Sequence, residues 1–188
     1  MLEIEKILKK IIPPDTRDED FSNHKILDSL TLSELKRVEF ELIKMLENNN
    51  DFLIGETLVY LKSKDSIQAM RKRIDKEVSS SAKIKWATLI NELNNGDPEM
   101  ERIAFEEFKR FEFIYEIEGI IFYDLIKFNS NRINKLIEGY INHKYFLVRH
   151  HSKYVLNYEN YATEYDKSVK KLTTVNRGWI IKTKHNNL

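Results

Sequence analysis

Cysteine is absent from the chain. That excludes a disulfide framework, a thiol nucleophile and any cysteine-based zinc site, and it fits a reducing compartment. Glycine and proline are scarce, with 5 and 3 in 188 residues, where glycine alone averages roughly 7% of a chain. Sheet-rich and doubly wound folds spend these residues on their turns. Their scarcity argues for helices joined by short polar loops. Long apolar runs are missing as well. Stretches such as Gly119-Ile120-Ile121-Phe122-Tyr123 fall far short of the ~20 residues that span a bilayer. The opening Met1-Leu2-Glu3-Ile4-Glu5 does not have the basic-then-apolar order of a secretory signal. No sign of charge dominates, since 31 Lys and Arg face 30 Asp and Glu, for a net +1. The expectation is an all-α, cytoplasmic protein of one domain with no membrane association.

What is present is helical periodicity with recognisable ends. Leu2, Ile4, Ile7, Leu8, Ile11 and Ile12 recur at helical spacing, and Pro13-Pro14 stops that helix. An acidic loop follows, with Asp15, Asp18, Glu19 and Asp20. Thr31-Leu32-Ser33-Glu34 has the form of a capping box and opens a helix to about Glu47. Further helices are expected over 52–62, 65–78, 82–93, 98–110, 113–127, 131–141, 145–158 and 162–172. Ser79-Ser80-Ser81 reads as a break. Asn95-Gly96 could open a hairpin, but its flanks have helical rather than alternating period, and Asp97-Pro98 supplies an N-cap and first helical residue. The tail from Thr173 has no assigned structure, although Trp179-Ile180-Ile181 could be a short strand or a docked arm.

The helices pair with a regular period. Aligning the second helix of each pair places Thr57, Ala87, Gly119 and Ser152 in register, at steps of 30, 32 and 33 residues. Two and three positions further on, every residue is apolar or aromatic: Val59, Leu89, Ile121 and Tyr154, then Tyr60, Ile90, Phe122 and Val155. A single hairpin of this size cannot bury both of its helices, and stacking hairpins solves that. Leu147-Val148-Arg149-His150-His151-Ser152-Lys153-Tyr154-Val155-Leu156 resembles the second helix of HEAT-type repeats, in which Val-Arg is followed three residues later by a small residue and then by Leu. The other three repeats carry Leu53-Ile54, Lys83-Ile84 and Tyr115-Glu116 where Val-Arg would stand. The resemblance covers roughly 31–158. It implies a short α-solenoid of about four stacked helix hairpins, with an N-terminal helix and acidic loop over 1–30 and a C-terminal helix and tail over 159–188. A non-repetitive helical bundle is the alternative.

In HEAT-type solenoids the second helices line the concave side. With the small residues facing the core, the exposed rows predicted for this chain contain Glu56, Trp86, Glu118 and His151, then Lys62, Glu92, Asp124 and Asn157, then Gly55, Lys85, Ile117 and His150. Glu56, Trp86, Glu92, Glu118, Asp124, His150 and His151 are therefore the candidate partner-binding residues. Their carboxylates point to a basic partner protein. Charge is also banded: +5 over 62–85, −5 over 97–127 and +6 over 142–188, a pattern that can steer a complementary partner.

Catalytic patterns are not found. His150 and His151 are adjacent, so on a helix they point 100° apart and do not chelate one ion together. There is no His-Glu-x-x-His and no Gly-x-Ser-x-Gly. The glycines are isolated, so no phosphate-cradling loop forms. Glu106-Glu107 and Glu116/Glu118 show no acid–base partner geometry. The repeated His-Glu pairs of helical-repeat di-iron hydroxylases are absent. Some HEAT-like solenoids are DNA glycosylases with a basic groove, and Arg71, Arg73, Lys83 and Lys85 are the residues that would carry such a role here. A near-zero net charge and an acidic candidate groove argue against nucleic acid. The leading expectation is a non-enzymatic protein-binding module with no cofactor or metal. The Lys, Asn, Ile, Glu and Tyr bias fits an AT-rich bacterial genome, and the build is similar to some bacterial immunity proteins that neutralise toxins. The other readings are a solenoid DNA-binding protein or DNA glycosylase-like enzyme, and a structural subunit of a larger complex.

Overall fold

The computed structural model describes residues 2–13, 21–111 and 120–157. Among these, every regular element is helical. Ten α-helices follow in order: α1 (Leu2–Ile11), α2 (His24–Asp28), α3 (Leu32–Met45), α4 (Phe52–Tyr60), α5 (Ile67–Lys76), α6 (Ser80–Asn94), α7 (Pro98–Phe108), α8 (Ile120–Leu125), α9 (Asn131–Glu138) and α10 (Phe146–Val155). Single 3-10 turns, Lys64–Ser66 and Ile126–Phe128, lead into α5 and extend α8. Glu118, Gly119, the acidic loop, the expected helix over 162–172 and Trp179-Ile180-Ile181 lie outside the described residues.

The local chemistry explains most helix starts. The Thr31 hydroxyl accepts from the Glu34 amide at 3.4 Å while Glu34 Oε2 accepts from the Thr31 amide at 2.8 Å, which is a complete capping box. Asp97 Oδ1 accepts from the Glu99 and Met100 amides at 3.0 and 3.2 Å, with Pro98 at the first helical position. The serine run departs from expectation. Ser79 caps α6 by accepting from the Ala82 amide, so Ser80 and Ser81 are helical. A short polar side chain at a helix start satisfies an orphan amide better than it breaks a chain.

Four of the described helix ends share a feature that composition hid. Lys62, Asn95, Asn129 and Asn157 all have positive φ, between 49° and 56°. They follow α4, α6, the turn after α8 and α10 respectively. After α6, the Gly96 amide reaches the Asn91 carbonyl at 3.0 Å; after α4, the Ser63 amide reaches the Leu58 carbonyl at 3.0 Å. Both are Schellman closures around a left-handed residue. Among the described residues, three of these four left-handed ends use asparagine, the side chain that tolerates that conformation best after glycine. Lys62 is the exception. Lys62→Gly is expected to raise stability by roughly 0.5–1 kcal/mol, read as a higher denaturant midpoint with unchanged slope. A drop would contradict the strained left-handed end.

Packing is organised around α6. It contacts α4, α5, α7 and α8, and Trp86, Ala87, Thr88, Leu89, Ile90 and Asn91 are buried in succession. A helix with neighbours on so many sides keeps only a narrow strip in water. The second helices of the expected pairs are neighbours in order, α4 with α6, α6 with α8 and α8 with α10. The small register residues Thr57, Ala87 and Ser152 are buried. Beside Thr57, Gly55 lets α4 approach α6 closely: a Cβ there would lie 2.6 Å from Trp86 Cζ3 and 2.7 Å from Leu89 Cδ1. The buried Asn23 amide donates to Thr57 Oγ1 at 2.7 Å and to the Ile11 carbonyl at 3.3 Å, which docks the N-terminal segment on α4. Of the eight flanking positions, Leu89, Ile90, Ile121 and Phe122 are buried and Val59 and Val155 half-buried. Tyr60 and Tyr154 are exposed.

Candidate functional site

Polar contacts run sideways across α4, α6, α8 and α10. Lys85 Nζ on α6 lies 2.8 Å from Glu56 Oε1 on α4 and 3.3 Å from Asp124 Oδ1 on α8. One turn-pair further along α6, Glu92 Oε1 meets Lys127 Nζ at 2.8 Å. The next residue back from Asp124, Tyr123, places its Oη 3.1 Å from His151 Nδ1 on α10. Lys85 and Glu92 are seven residues apart, so both fall on the strip of α6 that reaches solvent.

The electrostatics follow from depth. Asp124 is buried, and burial pushes its carboxyl above the ordinary range despite the Lys85 ammonium beside it. Burial works the other way on Lys85, yet the Glu56 hydrogen bond and the Asp124 charge outweigh it, and the ammonium is held above its usual value. Lys85 is thus charged at neutral pH and bridges two carboxylates. Burial, then the charge of His151, pulls His150 below its ordinary value. Burial raises the Tyr123 phenol.

Among the described residues, the expected carboxylate row is therefore largely paired with lysine. Glu56, Asp124 and Glu92 each face a lysine, and Glu118 lies outside the described residues. Lysines two and eight residues from the small register positions pair with these three carboxylates, which leaves one net negative charge among the five side chains. Trp86 is a correction too. It has no exposed surface and packs 5.1 Å, centroid to centroid, from Phe52. The register that exposes Glu56 on α4 turns inward on α6, because α6 is enclosed and α4 is not. His150 and His151 are half-buried on α10, their ring centroids 5.0 Å apart and tilted by 72°.

The cations singled out for nucleic acid are also engaged by carboxylates. Arg71 pairs with Asp97 at 3.2 Å and with Glu99. Arg73 pairs with Glu77 at 3.0 Å, and Lys83 with Glu107 at 3.3 Å. Glu107 is itself buried, and it also accepts from Ser80 Oγ at 2.8 Å and Arg110 Nη1 at 2.8 Å. That is a clamp between α6 and α7, not a general base with a substrate-facing lone pair. Glu106 is spent on Arg132 at 3.3 Å and Lys109 at 3.7 Å.

Sequence reasoning missed the exposed rings of α8 and α10. Tyr123, Tyr145, Phe146, Leu147 and Tyr154 are 36–53% exposed, and Tyr123 and Tyr154 touch at 5.9 Å between centroids. Exposed aromatic clusters of this kind are interface-like, because Tyr anchors carry large area at low entropic cost. The signal was available: Tyr145 is the N-cap of α10 and Phe146 and Leu147 open it, and apolar residues at a helix start need not face its core. No known family, curated protein or solved structure matches the chain.

Proposed function

We propose that the chain is a non-enzymatic protein-recognition module, a short HEAT-like α-solenoid of about four hairpins whose α4–α6–α8–α10 face engages a partner protein in the bacterial cytoplasm. The observation that carries this reading is the exposed aromatic cluster on α8 and α10, where Tyr123 meets His151, on helices that neighbour the Glu56–Lys85–Asp124 ion pairs. Ordered second helices give an extended surface. Its α4–α6–α8 part is fixed by ion pairs, so little ordering is needed on binding. A toxin-neutralising role is the specific form this takes, and it rests on similarity of build alone. The DNA-binding and glycosylase-like reading is disfavoured by the carboxylate already held against each candidate cation.

The test is quantitative co-purification of the full chain from its source cells, with Tyr154→Ala beside the parent. One protein enriched by the parent and depleted at least tenfold with Tyr154→Ala, at equal melting temperature, is the expected result. For the toxin form, that protein is a toxin encoded beside this chain, and the parent abolishes its activity. Enrichment of nothing, or of nucleic acid alone, sinks the reading.

A further inference from the structure

We infer that the partner is gripped at α10 and its lead-in, and that what docks there is an acidic segment of the partner protein. This rests on the protein-recognition reading above. Residues 142–157 hold Lys144, Arg149 and Lys153 and no Asp or Glu, and 142–188 as a whole carries nine bases against three acids. The contrast with the neighbouring helices is chemical. On α4, α6 and α8 the charges satisfy one another, as Lys85 does with Glu56 and Asp124. Among the described residues, neither Lys144 nor Arg149 forms an ion pair. Instead Lys144 Nζ sits 5.1 Å above the Tyr145 ring, and the Arg149 guanidinium lies 5.8 Å from the Phe146 ring while donating to the His143 carbonyl at 2.6 Å.

That arrangement holds cations beside exposed apolar surface. Tyr145 and Leu147 are each 46% exposed, and Tyr154 is 53% exposed. Carboxylates of an incoming segment would meet Lys144 and Arg149, and its apolar side chains would cover Leu147 and Tyr154. Charge complementarity of this kind sets partner choice and encounter rate. Stacking on nucleic-acid bases is less well served. His143 stacks on Tyr145 at 5.5 Å with 27° between planes, and His150 on Phe146 at 5.7 Å with 20°. Each of these stacks takes up one flat ring face that a base would otherwise use.

The experiment is fluorescence anisotropy on the full chain with three labelled probes of equal length: a peptide alternating Glu with Leu and Phe, the same peptide with Lys for Glu, and a single-stranded DNA. Saturable binding of the acidic peptide is expected, weakened at least fivefold by Lys144→Glu and by Tyr154→Ala, with Phe40→Ala on α3 unchanged. Circular dichroism melts confirm that the variants fold. No saturable acidic-peptide binding, equal binding of the Lys peptide, or insensitivity to both variants overturns the inference. Tighter DNA binding with the same variant sensitivity overturns it in favour of a phosphate-reading face. The two claims fail separately: a partner lost with Tyr154→Ala whose contact segment is basic keeps the protein-recognition reading and removes this one.

Discussion

Trp86→Ala should cost about 4 kcal/mol of folding stability. In a chain of this length that lowers the melting temperature by roughly 8–16 °C, and a domain of ordinary stability has only about 5–15 kcal/mol to lose. The reason is position. Trp86 has no exposed surface, sits on the central helix α6, and fills the contact between α6 and α4 against Phe52 and Gly55. Truncation leaves a cavity that Gly55 cannot fill and that α4 can close only by moving. Trp86→Phe keeps most of the volume and should lose far less. It also removes the indole Nε1, which has no hydrogen-bond partner among the described residues. Chemical denaturation of both variants checks this. A Trp86→Ala loss under about 1 kcal/mol would mean that Trp86 is a surface anchor after all.

Lys85→Met should be nearly as damaging, at about 3 kcal/mol near neutral pH, because it strands the buried Asp124 carboxylate. The pH dependence identifies the cause. Burial already raises Asp124 above its ordinary value, and removing the ammonium removes the main opposing influence. A carboxyl with a raised folded-state pKa contributes stability that is present below its unfolded value and lost as pH rises through the folded one. The variant should therefore recover towards the parent as pH falls from neutral towards the ordinary carboxylate range. Adding Asp124→Asn should restore most of the stability and flatten the profile. A loss that is the same from pH 5 to 8, or a double variant no better than Lys85→Met alone, would show that Lys85 acts only through its aliphatic stem.

The helical class was legible because turn residues are few and because the caps at Thr31 and Asp97 announce themselves within four residues of sequence. The small register residues Thr57, Ala87 and Ser152 were legible for a similar reason, since a 3.6-residue period is local and each of them is buried. Charge pairing was not legible. Glu56, Lys85 and Asp124 are separated by 29 and 39 residues, and whether they meet depends on how far each helix is rotated about its own axis. Neighbours decide the outcome: the same register position is solvent on α4, which packs on α3 and α6, and core on α6, which packs on α4, α5, α7 and α8.

The most direct measurement is site-specific photo-cross-linking in the source cells, with a photoreactive residue placed in turn at Glu56, Tyr154 and, as the remote control, Phe40. If the α4–α6–α8–α10 face recognises a partner, Glu56 and Tyr154 yield adducts with one and the same protein, and Phe40 yields none. Adducts from Phe40 alone, or different proteins at Glu56 and Tyr154, would contradict it.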